Sequence, residues 1–403
     1  MGLDLVALGK QVRKMSLAVA KAIPQRNERI ATVRRRYLDE QGQEDHWIEA
    51  VRLSAKTANW LLAVPVEPLG TVKALPPIPS DYAIAATDGS HIDVDRHGDV
   101  LCYLINIGQV YIRYGAQAEA QLTSVPMLHY EEEDLFLEDG TRRIPIEGAV
   151  LSVRRDVAEG IALQQLAEKY LETLDLPRLA LQDGTLMRWA LANVDAKVRD
   201  TFLQPYLQYL ERMRQARIPV ASYISRSRSP EVMGLVRLMF CPDVNVAQQI
   251  GANCAQCSDV KHGRTPSCMI CQDLIDADIF APQLAEGQRS PVFRSLSRIS
   301  VVGYEHHQIH FFFMRIGREL VRIEIPAWVA EQPAWLDQVH ALVYDQAARG
   351  QGYPVALQRA HEQAVIRNAE RRAFEQIVAG ALRRAGAPAG VSAKRESKQF
   401  VQE

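Results

Sequence analysis

Apolar residues recur at three- and four-residue steps from the N-terminus to about residue 62, with Lys, Arg and Glu between them. That spacing predicts an N-terminal helical region over 1–64. Pro65, Pro68, Pro76, Pro77 and Pro79 then break the periodicity and mark a linker. Beyond it the pattern changes. YAIAAT, VLCYLINIG and QVYIRYG are short runs rich in β-branched and aromatic residues, with DRHGD as a turn signal after the first, so three antiparallel strands are expected between 82 and 114. An amphipathic helix follows over 151–174. The apolar strand LALQDGTL (179–186), a helix over 190–217, the strand IPVASYIS and a helix starting in the 230s come next. HQIHFFFMRI and LVRIEIP suggest a hairpin around Gly317, and two helices near 333–348 and 354–385 finish the pattern. The last residues, 386–403, are small, polar and uneven, the composition of a disordered tail. Three strands followed by alternating helices and strands give an α/β fold, a mixed sheet flanked by helices. That is the RNase H-like arrangement.

Composition narrows the classes. Apolar residues make up 47% and charged residues 24% of the 403, the balance of a globular protein with a real core. The net charge is −1, so any nucleic-acid contact must come from a local basic patch. No apolar run reaches the ~18–20 residues of a membrane helix. The N-terminus lacks the compact apolar stretch and small-residue site of a signal peptide, so the cytoplasm is expected. No Gly-x4-Gly-Lys-[Ser/Thr] loop is present, which argues against nucleotide triphosphate hydrolysis.

Several residues can carry chemistry. Asp88 in AATDGSH and Asp183 in LALQDGTL repeat one construction: a buried strand, then Asp-Gly, then a hydroxyl residue. Either could be a plain turn. Together, two such carboxylates could meet at one sheet edge and hold the oxygen-seeking ions of phosphodiester hydrolysis. In VRRDVAEG, Glu159 lies one helical turn after Arg155, a spacing that also suits an ordinary ion pair, and Asp156 competes with it. Arg226 and Arg228 in SYISRSRS could contact phosphate or merely face solvent. Tyr353 and His361 in GYPVALQRAHEQA stand two helical turns apart, where the histidine could bind metal, move a proton or simply be structural.

Cys254, Cys257, Cys268 and Cys271 form two Cys-x2-Cys pairs separated by ten residues. In a cysteine-poor chain this spacing predicts a metal-binding insertion at 250–275. Four thiolates would close a tetrahedron around structural zinc, or hold an iron–sulfur cluster. Cys102 and Cys241, alone and flanked by apolar residues, read as core.

In order and separation, ATDGS, VRRDVAE, LQDGTL, SYISRS, RIEIPAW and GYPVALQRAHEQA resemble the NurA nuclease family over about residues 80–375. The resemblance implies an RNase H-like nuclease domain over 78–385. It implies metal-binding carboxylates at Asp88 and Asp183, favours Glu159 over Asp156 as the helix acid, and makes Tyr353 and His361 an active-site pair, with His361 a further possible metal ligand. It implies a lysine after the fourth strand, where this chain has Arg226. It further implies Mn²⁺ or Mg²⁺-dependent 5′-to-3′ exonuclease and single-strand endonuclease activity on DNA. A homodimer, a HerA-type hexameric translocase as partner and a role in resecting broken DNA ends complete the expectation. Two other readings stand beside it: a catalytically silent DNA-binding or adaptor subunit, and another RNase H-like phosphotransfer enzyme acting on RNA or nucleotides.

Overall fold

In the computed structural model, residues 3–94, 100–140, 142–192 and 194–386 are described. The expected DRHGD turn and the tail after residue 386 lie outside them. The elements begin with α1 (Leu5–Asp39), α2 (Glu44–Ser54), β1 (Ala63–Pro65), β2 (Tyr82–Ile92), β3 (Tyr103–Tyr114), β4 (Glu119–His129), α3 (Glu132–Leu135), β5 (Phe136–Asp139) and β6 (Arg142–Pro145). There follow α4 (Gly148–Tyr170), β7 (Arg178–Asp183), α5 (Ala196–Gln215), β8 (Val220–Ile224), α6 (Glu231–Met239), α7 (Ser258–Lys261), α8 (Asp276–Phe280) and β9 (Phe293–Ser295). The chain ends with α9 (Arg298–Gly303), β10 (Ile309–Ile316), β11 (Glu319–Pro326), α10 (Ala327–Ala330), α11 (Pro333–Arg349), α12 (Val355–Ala364) and α13 (Asn368–Arg384). No helix among the described residues is long and apolar enough to cross a membrane.

Contacts divide the chain into two units. The first joins Met1–Ala74, Arg226–Ser297 and His310–Arg322, so the N-terminal helices group with the cysteine segment and much of the β10–β11 hairpin. Its core gathers Val33 and Tyr37 of α1, Trp47 and Val51 of α2, Val232 and Val236 of α6, Phe280, Phe293, Phe311 and Phe313.

The second unit, Leu75–Ser225, Arg298–Ile309 and Ile323–Glu403, contains a large mixed sheet in the order β11–β8–β7–β2–β3–β4. Strands β2, β3 and β4 are antiparallel; β7 runs parallel to β2, and β8 parallel to β7. Central strand β2 is buried from Tyr82 to Thr87, the continuous apolar run of a strand covered on both faces. Helices α4 and α5 cover one face. Thr87 Oγ1 donates to Glu159 O at 3.0 Å, and Tyr206 and Tyr209 hydroxyls donate to Gln182 Oε1 at 3.2 and 3.3 Å. Helix α12 packs on β2 and β3.

Two expectations change. Residues 82–114 hold two long strands, not three; the third antiparallel strand is β4, whose exposed, polar-rich edge gives little apolar signal. Strand β3 runs straight through Gly108 because that glycine is a contact rather than a break. A Cβ there would meet Ala360 O of α12 at 2.1 Å. The final helix also proves to be two. At the end of α12, Asn106 Nδ2 donates to Ala364 O at 2.8 Å and Ser90 Oγ donates to the same carbonyl. Val365 then turns to φ −54°, ψ 127°, and Glu370 caps the next helix by accepting Arg367 N–H at 2.7 Å.

Candidate active site

The register of two parallel strands brings Asp88 and Asp183 side by side. Pairing of β2 with β7 ends at Thr87 opposite Gln182, and each aspartate follows at once. Alternation sends Thr87 and Gln182 to the α4–α5 face and the two aspartates to the other. There α12 supplies His361, whose Nδ1 stands 2.7 Å from Asp88 Oδ2. The glycine at 108, directly opposite Asp88 on β3, allows this approach.

The two Asp-Gly pairs differ in structure. Gly184 adopts φ 73° in a true turn and its N–H donates to Asp183 Oδ1 at 2.9 Å. Asp88-Gly89 makes no turn: β2 continues to Ile92 against β3. Gly89 is needed for space, since a Cβ there would lie 2.5 Å from Glu159 Oε1. Glu159 thereby reaches the sheet edge from α4.

Arg155 Nε stands 3.1 Å from Glu159 Oε1, and the Glu159 side chain is only 13% exposed, so this is no ordinary surface pair. Asp156 is held elsewhere, by Arg155 at 2.7 Å and by Arg188 at 3.2 Å. Burial first, then repulsion from Asp156 and, more weakly, Asp88, pushes the Glu159 carboxyl up to about 8 despite the opposing Arg155. Crowding by protein likewise holds Asp183 above the usual carboxylate range, with Asp88 adding to it; hydrogen bonds from the Tyr353 hydroxyl and Gly184 N–H oppose the shift. Tyr353 follows a tight turn at Gly350–Gly352 and its own ionisation is pushed far up, by burial and then by Asp183. Tyr223 donates to Gly352 O at 2.9 Å and fixes that turn.

Five of the six expected catalytic residues, Asp88, Glu159, Asp183, Tyr353 and His361, thus share one neighbourhood of the second unit. The sixth, Arg226, opens a segment of the first unit; it adopts a left-handed φ of 48°, pairs with Glu319 at 2.9 Å and has a side chain 85% exposed.

Two supporting residues escaped the sequence reading. Arg188 lies buried with its guanidinium 4.7 Å from the Tyr206 ring centre, where Asp156 neutralises it. Glu324 accepts Thr185 Oγ1–H at 2.8 Å and Leu186 N–H at 2.9 Å, bracing the turn after Asp183. An acid between buried apolar residues in RIEIP was the available signal.

The cysteines lie in short turns: Cys254–Gln256, α7 directly after Cys257, and Ser267–Cys271. Cys268 and Cys271 are buried, Cys254 and Cys257 half-buried. Among the described residues, one trio of metal-binding types has ligand atoms all within 4.8 Å of one another: Glu211, His306 and His307. The carboxylate cluster and the cysteines are both spread wider. The trio reads as a hydrogen-bond cluster. Trp328 Nε1–H, a pure donor, gives to His307 Nδ1 at 3.1 Å, which leaves the proton on Nε2, facing Glu211 Oε2 at 3.6 Å. Burial, then His306, pushes His307 down to about 4.

Among curated proteins none matches the chain. A solved structure described as LC9-RNase H1, a type 1 RNase H with the type 2 active-site motif, is similar over 36% of this chain and 64% of that one, under two thirds of its length, at 12% identity and a TM-score of 0.22. A likeness that small carries no argument. The NurA domain model matches residues 82–366, a span that takes in all five clustered residues. With well over half of the sequence covered, the chain belongs to the NurA family, a family of nucleases.

Proposed function

We propose that this protein is a divalent-metal-dependent DNA nuclease with 5′-to-3′ exonuclease and single-strand endonuclease activity. The observation that carries the reading is the pairing of Asp88 and Asp183 on adjacent parallel strands, with Glu159 and His361 beside them. The donor set fits Mn²⁺ or Mg²⁺, since carboxylate oxygens and one imidazole are the ligands such ions take. Burial first, and neighbouring acids second, raise the Glu159 and Asp183 carboxyls, and a bound cation would favour their ionised forms. Convergent carboxylates of this kind can hold two ions ~3.5–4 Å apart.

Asp88, Asp183 and Glu159 would hold the metal. Bound there, it would supply Lewis acidity toward the phosphodiester and a more acidic water. Asp88 accepts from His361 Nδ1–H, which leaves Nε2 as the atom able to take a proton from the attacking water, give one to the leaving oxygen, or ligate the metal. The His361 side chain is 65% exposed, as a group that meets solvent and substrate must be. Tyr353 orients Asp183 through its hydroxyl, and Arg155 holds Glu159 in place. Arg226 is offered as a phosphate contact; its guanidinium holds its proton too tightly to give it up as a lysine ammonium can.

The same reading includes a cytoplasmic homodimer, working with a HerA-type hexameric translocase in DNA end resection. The first half of α1 supports a protein partner: Leu5, Leu8, Val12, Met15 and Val19 form an exposed apolar stripe at alternating three- and four-residue steps. The cysteine segment we read as a structural zinc or iron–sulfur centre. A silent adaptor is the weaker reading, because it leaves the carboxylate–histidine set without a role. Incubation with labelled single-stranded DNA, double-stranded DNA and RNA, with and without Mn²⁺, tests the function. Metal-dependent cleavage of DNA is expected. Inertness toward all three substrates would favour the adaptor, and cleavage of RNA alone the phosphotransfer alternative.

A further inference from the structure

The first half of α1 has a second face. Residues 3–25 are all exposed, and the apolar stripe through Leu8, Val12, Met15 and Val19 occupies one side of the helix. Lys10, Arg13, Lys14 and Lys21 gather on the other, within about 100° of arc and roughly opposite the stripe at 3.6 residues per turn. The exposed Leu17 shares their side.

Positive charge is concentrated in this helix. It carries nine Lys and Arg against Glu28 and Asp39, a net +7 in a chain whose total is −1. The nine divide by position. Four of them fasten the second half of the helix within the first unit. Arg26 pairs with Asp278 at 2.6 Å, and Arg36 with Glu40 at 2.9 Å. Arg29 and Arg34 donate their Nε–H to Ile270 O and Ile279 O at 2.9 and 3.2 Å. Arg35, exposed and lying beyond Glu28, belongs to neither group.

Lys10, Arg13, Lys14 and Lys21 do nothing of the kind. Their side chains form no ion pair among the described residues, and no acid stands three or four positions from any of them. Lys10 has Arg13 and Lys14 at those positions instead, where like charges repel. Folding gains nothing from such a face, whereas a polyanion laid along it turns the repulsion into attraction. The placement also separates two kinds of polyanion. A lipid surface that took up the apolar stripe would leave the cations about half a turn away, facing water, while a nucleic-acid backbone needs the cations alone.

We propose that this cationic face of α1 is a contact surface for the DNA backbone, carried by the unit that does not hold the carboxylate cluster. The contact is to phosphates, so it adds affinity without sequence preference. The inference rests on the reading of DNA as the substrate.

Binding of a labelled DNA single strand to the full-length protein without added Mn²⁺, followed by fluorescence anisotropy between about 50 and 200 mM salt, tests it. The variant combines Lys10→Gln, Arg13→Gln, Lys14→Gln and Lys21→Gln; glutamine keeps the helix, which circular dichroism checks. A control carries the same change of charge at exposed positions elsewhere, as Lys56→Gln, Lys197→Gln, Arg318→Gln and Arg383→Gln. The α1 variant should bind at least about tenfold more weakly, and its slope of log affinity against log salt should shrink by about two to three, the release expected from three or four phosphates. The control should keep most of the affinity and slope. Mn²⁺-dependent hydrolysis of a small phosphodiester, bis(p-nitrophenyl) phosphate, should be unchanged in the α1 variant. Wild-type affinity and slope in that variant, or an equal loss in the control, would overturn the proposal and leave the nuclease reading standing. Unchanged DNA binding together with lost binding to phosphatidylserine-containing vesicles would overturn it in favour of a membrane contact. A wild-type protein that binds no DNA at the lowest salt would overturn the DNA reading itself and the proposal with it.

Discussion

The carboxylate cluster of the second unit and the cysteine segment of the first achieve local order by opposite means. Asp88 and Asp183 are placed by the register of a buried sheet, and glycines at 89 and 108 admit Glu159 and α12 to them. The cysteines lie on short turns tied by aspartate side chains, with little regular structure between them. A site built on sheet register stands preformed, and its members can be exchanged for isosteric groups without moving the backbone. A site built on turns depends on its bound metal for local folding energy. The difference teaches where a substitution should be felt: as chemistry in one region, as stability in the other.

The largest effect follows from crossing the two. Asp88→Asn should lower DNA cleavage by about 10³-fold or more, the scale of losing several kcal/mol of transition-state stabilisation, while thermal melting stays near wild type. The double change Cys254→Ser with Cys257→Ser should do the reverse: melting or protease resistance of 250–275 falls first, with the cleavage rate of the remaining folded protein little altered. If both variants lose cleavage and stability alike, the contrast fails.

Gly108→Ala breaks the first region from behind. The added methyl meets the Ala360 carbonyl, part of a helix backbone, so α12 must shift and carry His361 with it. Urea unfolding should show a loss of about 1–3 kcal/mol, the usual range for overpacking, with a fall in cleavage beyond it. Unchanged stability would mean α12 packs less closely than described.

A pH profile sharpens the electrostatic half. The Glu159 carboxyl is raised to about 8 in the fold, by burial first, against an ordinary value of 4.5. The native state then binds more protons than the unfolded chain between those values, so stability of the metal-free protein should fall as pH rises from about 4.5 to 8. Glu159→Gln should flatten that slope. A metal-free protein whose stability rises through this window contradicts the assignment.

The smallest effect belongs to Tyr353→Phe, which removes a single hydrogen bond to Asp183. Cleavage should drop by about tenfold, in line with ~1.5 kcal/mol for one bond to a charged group. A loss as deep as that of Asp88→Asn would give Tyr353 a direct part in the reaction.

Much of the second unit could be read from the chain, because buried strands leave continuous apolar runs and YAIAAT and LALQD are such runs. Asp88 and Asp183 were legible for the same reason. Their Asp-Gly pairs looked alike, however, and only the register shows that one is a turn and the other an extended strand making room for a carboxylate. Gly108 misled in the same way: glycine in a strand signals either a break or a close approach, and the partner that decides, Ala360, lies far along the chain. Strand β4 was invisible because an edge open to solvent needs no apolar alternation.

The central claim is that Asp88, Asp183 and Glu159 form a divalent-cation site on the sheet edge. Binding of Mn²⁺ followed by loss of the free-ion electron paramagnetic resonance signal tests it most directly, comparing wild type with Asp88→Asn and Asp183→Asn, all purified in the same metal state. Wild type should remove Mn²⁺ from the free pool, and either substitution should weaken that uptake by an order of magnitude or more. Equal uptake by all three proteins would contradict the account.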